Sequence, residues 1–164
     1  MYYLYKFLFS SVFLVAFSFF NSKQDAISKA NISETIKKDV DLNGIWEGAF
    51  TQKGGYKDEY KTIIKIVQKG KKISGTTISY VDNLHATLRF EGEIKDNKFV
   101  VFAEKEFIET GNLGDEKAWC KKSIAAQIKH IKGAIVLEGL WGGKSSFGDC
   151  IPGTVVLKKI AERP

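Results

Sequence analysis

The chain has 164 residues, of which 44% are hydrophobic and 27% charged, with fifteen glycines and only two prolines. That leaves room for one domain with a real core, and the abundance of Ile, Val, Thr, Phe and Tyr leans towards β structure. The net charge is +6, but the lysines are scattered over turns and alternate strand positions (Lys61, Lys65, Lys69, Lys95, Lys121, Lys122 among them), as on a solvated outer face. A dedicated polyanion site is disfavoured, and no nucleic-acid partner is expected.

Residues 1–22 read as a signal peptide. One lysine, Lys6, precedes a charge-free apolar run from Phe7 to Phe20. Such a run suits the core of an export signal better than a bilayer span, which needs about 20 residues. Export to the periplasm or the outside is therefore expected, with an uncleaved N-terminal anchor as the other outcome and no stable span after cleavage. Over 23–42 the chain is polar. Ile27, Ile32, Ile36 and Val40 recur at near-helical spacing, and Asn31 with Glu34 resembles a capping box, which predicts a short helix.

A β domain is expected over 43–161. From Asp41 onward the apolar period becomes two, broken roughly every 8–14 residues by turn signals. Strands are predicted over 44–52, 58–68, 72–80, 84–94, 98–104, 118–129, 134–142 and 153–160. Trp46, Gly48 and Phe50 share one face of the first strand, and Thr62, Ile64 and Ile66 one face of the second. Ala86, Leu88, Phe90, Gly92 and Ile94 do so in the fourth, Ile124, Ala126 and Ile128 in the sixth, and Leu137, Gly139 and Trp141 in the seventh. The third and fifth strands carry apolar residues on both faces. Connections this short allow no helical crossover, so neighbours pair antiparallel. Eight such strands favour an up-and-down barrel, which leaves no exposed edge.

A barrel of this kind has two unlike ends. Connections after even strands are tight (Lys69-Gly70-Lys71, Lys95-Asp96-Asn97, His130 to Gly133). Those after odd strands are longer (Lys53 to Lys57, Val81 to Asn83, Lys105 to Lys117, Gly143 to Pro152). Cys120 and Cys150 are the only two cysteines. In an oxidising compartment such a pair is expected to form a disulfide, and both fall at the long-loop end.

Gly44-Ile45-Trp46-Glu47-Gly48 opening the first strand resembles the Gly-x-Trp start of the calycin group: lipocalins, avidins and fatty-acid-binding proteins. That resemblance implies an eight-stranded barrel with Trp46 packed across the closed end and ligand entering at the other. The Thr-Asp-Tyr element and C-terminal helix of lipocalins are absent, and the polar constellation with which avidins hold biotin is not assigned. Trp46 with Gly48, Gln68 with Gly70 and Gly75, Glu104, Trp119-Cys120, Leu137-Gly139-Trp141 and Cys150 with Gly153 also resemble a pattern of small secreted bacterial proteins. That pattern implies the fold and the disulfide, but no activity.

No enzyme is expected. Gly143-Lys144-Ser145 ends like a phosphate-binding loop, but Glu138 stands where that motif needs glycine. Ser145, Ser146 and Asp149 fall near the His85 end without a nucleophile elbow. Two cysteines, His85 and His130 do not supply a metal site, and no cofactor is implied. Glu91 with Glu93, and Glu104 with Glu106, are spaced to share strand faces.

Two readings stay open. In the first, the protein binds a small apolar or amphipathic molecule at the long-loop end, through Glu104 at the mouth and the aromatic residues Tyr56, Tyr80, Trp119 and Trp141. In the second, bulky inward residues fill the lumen, and the protein is a structural or protein-interaction module, such as an envelope component or inhibitor.

Overall fold

The computed structural model describes residues 39–161. The expected signal peptide over 1–22 lies outside the described residues, as does most of the helix expected over 23–42. The part that is described, residues 39–42, is irregular chain rather than helix.

Alternation of apolar and polar residues produces the strands β1 (Gly44–Gln52), β2 (Glu59–Lys69), β3 (Lys72–Val81), β4 (Leu84–Lys95), β5 (Phe99–Thr110), β6 (Lys121–Ile131), β7 (Ala134–Ser145), β8 (Gly148–Asp149) and β9 (Gly153–Ala161). Each of β1 to β7 pairs antiparallel with the next. β9 lies between β7 and β1 and closes the sheet, while the two-residue β8 only folds back on the end of β7. Eight long strands thus form a closed antiparallel barrel, and every long strand has two partners. A barrel without a free edge offers no template for edge-to-edge aggregation.

The inward faces match the alternation. Trp46, Phe50, Ile64, Leu88, Phe90 and Leu137 are fully buried, and the two ambiguous strands turn Ile73, Thr77 and Ser79, and Val100, Phe102 and Glu104, inward. Close approach between strands requires glycine at two places. A Cβ on Gly48 would sit 1.9 Å from the Val156 carbonyl oxygen, and one on Gly139 would sit 2.1 Å from that of Ala125.

Two stretches depart from expectation. The connection predicted from Lys105 to Lys117 is strand as far as Thr110, because β5 carries two bulges. Arg89 and Phe90 face Glu106 and Glu104, skipping Lys105, and Thr87 and Leu88 face Glu109 and Phe107, skipping Ile108. Each extra residue shifts the side-chain alternation, which hides the strand from a period-two pattern. The first bulge also separates Glu104, which points inward, from Glu106, which pairs with Arg89 outside, so the two do not share a face. Likewise the predicted loop from Gly143 begins as strand, since β7 runs on to Ser145.

The tight-turn end is plugged by the chain leading into β1. Leu42 is fully buried, and the Trp46 Nε1–H donates to its carbonyl at 3.0 Å. Gln68 holds this plug from the end of β2: its Oε1 accepts from the Leu42 N–H at 2.7 Å, and its Nε2 donates to the Val40 carbonyl at 3.0 Å. Trp46 is therefore where the Gly-x-Trp resemblance puts it, across the closed end.

At the opposite end Cys120 and Cys150 are bonded, with Cα atoms 6.4 Å apart. The bond ties the segment entering β6 to the chain entering β9. Replacing both cysteines by alanine is expected to cost about 3–4 kcal/mol, the chain entropy of a loop this long. Urea denaturation at equal m-value is the check; a loss below about 1 kcal/mol would mean that the strand ladder alone holds this end.

Candidate functional site: a cup at the long-loop end

The lumen is filled from the closed end up to Phe50, Phe90 and Phe102. Phe90 and Phe102 pack ring to ring at 4.7 Å, and Phe50 meets Trp141 edge-on at 5.8 Å. Above this layer the long-loop end opens into a cup of about 280 Å³. Its walls include Tyr60, Val81, Trp119 and Trp141, its rim Tyr56, Lys117 and Ile151, and its floor Ser79 and Lys122. The disulfide forms part of the wall. This volume lies at the small end of ligand sites, room for a molecule of one or two rings.

Both indoles are fixed by backbone. The Trp119 Nε1–H donates to the Gly111 carbonyl at 2.7 Å, folding the β5–β6 connection over the mouth. The Trp141 Nε1–H donates to the Thr51 carbonyl at 3.0 Å, across β9 to β1. Tyr56 is held at the rim from several sides. Its hydroxyl donates to Asp82 at 3.3 Å and the Lys117 ammonium lies 3.6 Å from its ring centre. Asp82 also pairs with Lys57. The hydrogen bond from Lys57 holds the Asp82 carboxyl below its ordinary value, and the same bond raises the Lys57 ammonium. The rim contact is thus complete above the ordinary carboxyl range and is lost as pH falls through the depressed Asp82 value.

Beneath the floor lies a buried ionic cluster. Pairing of β5 with β6 ends at Ala103 and Ser123. The next N–H on β6, that of Lys122, donates instead to the Glu104 carboxylate at 2.6 Å. Glu104 Oε1 accepts from the Thr77 hydroxyl at 2.5 Å, and Oε2 lies 3.5 Å from the Lys122 ammonium. That ammonium donates to Ser79 Oγ at 3.2 Å and lies 5.0 Å from the centre of the Phe50 ring. The Glu104 side chain is 0% exposed and that of Lys122 8%. Burial of two charges is tolerable when each is paired and hydrogen-bonded, as here.

Of the residues singled out in the sequence, Tyr56, Trp119 and Trp141 meet in the cup. Glu104 points inward but lies behind the floor, engaged with Lys122, and does not line the cup. Tyr80 does not belong to it: strand alternation puts Ser79 and Val81 inside and Tyr80 outside, 6.0 Å from His85. His85 in turn faces Glu109 at 3.3 Å, while the Ser145 hydroxyl accepts from the Phe147 N–H, so these groups form no catalytic chain. Lys122 is the floor residue that sequence reasoning placed on the outer face. The signal was present, since Ile124, Ala126 and Ile128 extend backwards at period two onto Lys122.

The fold and site define, over the described residues, an eight-stranded antiparallel barrel with one plugged end and a small aromatic cup at the other. Among solved structures the chain is similar to a low-affinity mutant of shwanavidin, with 12% identity and a TM-score of 0.48 over 74% of this chain and 98% of that one. It is similar also to apo shwanavidin, with 13% identity and a TM-score of 0.43 over 73% of this chain and 100% of that one. Likeness at this level transfers no ligand and no residue role. No protein-family model and no curated protein sequence matches the chain.

Proposed function

We propose that this protein is an exported, non-catalytic binding module that takes one small amphipathic molecule in the cup at its long-loop end. The observation that carries this reading is the cup itself. A barrel of eight strands has an interior just wide enough for its own side chains. Here the packing stops at Phe50 and Trp141 and leaves about 280 Å³ walled by rigidly bonded aromatics. Fixed indoles present apolar area without an ordering cost on binding. A second reading, a protein contact at the same rim, draws on Phe147 and Ile151, which are 67% and 43% exposed.

Native mass spectrometry of the protein purified from its own host is the direct test. A non-covalent adduct of a few hundred daltons is expected, and Trp119→Ala is expected to lose it. Recovery of the bare mass, together with no change of tryptophan fluorescence on titration with small aromatic amphiphiles, would leave the rim contact as the better reading.

A further inference from the structure

The lining of the cup carries acceptors as well as donors, the Asp149 carboxylate and the Gln52 amide among them, but Asp149 is exposed and faces Lys144, and the groups on the floor are donors. Both indole N–H groups are spent on backbone carbonyls. The Tyr60 oxygen accepts twice, from Gln52 Nε2 at 2.9 Å and from the Lys57 N–H at 3.0 Å, so the hydrogen-bonding capacity left to it is its own O–H. The Ser79 oxygen accepts from Lys122 and likewise keeps a proton to give. The Lys122 ammonium has three N–H groups; it donates to Ser79, and its charge pairs with Glu104 at 3.5 Å. Glu104 is the carboxylate at this depth, and both its oxygens are occupied on the side away from the cup. The floor of the cup therefore offers two donors, Ser79 and the cationic Lys122, with the Tyr60 O–H in the wall above them.

A ligand group buried against donors has to be an acceptor, because an unmatched donor there loses its water and gains nothing. Resting on the reading of the cup as a binding site, we propose that the ligand is a flat apolar carboxylate. Its carboxylate points down to Lys122, Ser79 and Tyr60, and its ring lies between Trp119 and Trp141. Lys122 is paired rather than free in the empty protein, and this suits the role. Glu104 keeps the ammonium in place and compensates its burial, so the cation stands at the floor before a ligand arrives. The second lysine of the cup, Lys117 at the rim, adds a cation on the path of entry.

Three probes of one shape separate the possibilities: naphthoate, methylnaphthalene and the naphthylmethylammonium ion, titrated against the full chain by tryptophan fluorescence and calorimetry. Naphthoate is expected to bind on the order of 10–100-fold more tightly than methylnaphthalene, the worth of hydrogen bonds to a charged group, and the ammonium ion more weakly than either. Ser79→Ala and Tyr60→Phe remove one donor each and leave the ion pair intact. Each is expected to weaken naphthoate roughly 5–10-fold while leaving methylnaphthalene unchanged. Lys122→Met alone strands Glu104, so the charge is tested in the double variant Glu104→Gln/Lys122→Met, where the preference for naphthoate is expected to vanish. Methylnaphthalene or the ammonium ion binding as well as naphthoate would overturn the carboxylate assignment and leave the binding module standing. Failure of all three to bind would overturn both.

Discussion

Replacing Glu104 by alanine is expected to lower stability by about 3–5 kcal/mol, as removal of one partner of a buried ion pair does. The loss has three parts. The Lys122 ammonium is left with only Ser79 and the face of Phe50 beside it. The Lys122 N–H loses the acceptor that stands in for a missing strand carbonyl. The Thr77 hydroxyl loses its partner as well. Lys122 opens onto the cup, so water reaches its ammonium in the variant, and the lower half of the range is expected. Glu104→Leu/Lys122→Met removes both charges and is expected to recover most of the loss, since an apolar pair of similar volume is often as stable as a buried ionic one. Chemical denaturation of the wild type, Glu104→Leu, Lys122→Met and the double variant closes the cycle. A cost below about 1 kcal/mol for Glu104→Ala, or additive single losses, would show that the pair does not act as a unit.

Trp46→Ala is expected to cost about 3–5 kcal/mol, within the range for deleting a buried aromatic side chain. Trp46 is 0% exposed, and its indole spans the closed end beneath Leu42, which it also hydrogen-bonds. The space left by the ring is enclosed by Leu42 and the strands of a closed barrel, which cannot collapse inward without breaking ladder pairs. Trp46→Phe keeps most of the packing, drops the bond to the Leu42 carbonyl, and is expected to cost about 1–2 kcal/mol. Thermal and urea unfolding decide the matter, and a Trp46→Ala protein within about 1 kcal/mol of the wild type would refute the plug. Because the plug lies at the opposite end from the cup, naphthoate affinity of the folded variant is expected to be unchanged. That separates this residue from Trp141, whose replacement removes wall and packing together.

Much of the barrel was legible in the residues because a strand with one buried face must alternate. Trp46-Gly48-Phe50 and Leu88-Phe90-Gly92 state their inward face outright, and each tight turn is marked by Gly, Asp or Asn, four of which adopt positive φ (Gly70, Asp96, Asn97 and Gly133). β5 was legible only to Glu104. Its bulges at Lys105 and Ile108 reset the alternation, and nothing in Lys-Glu-Phe-Ile-Glu-Thr announces which residue is the extra one. The cup was half legible. Trp119 and Trp141 were found through their place beside the long loops, whereas Tyr80 was assigned there by proximity along the chain and lies outside by one step of the pleat.

Local pattern thus determined most of the strands and the pairing of the two cysteines at the rim, through periodicity, turn chemistry and simple arithmetic, while Trp46 at the closed end was what the Gly-x-Trp resemblance implied. Only the tertiary structure decided how far the lumen is filled and what stands on the floor of the cup. Glu104 and Lys122 lie 18 residues apart on neighbouring strands, and Lys122 and Ser79 lie 43 apart across the lumen. Contacts of that kind depend on register, bulges and barrel closure together, and a single strand read alone carries none of them.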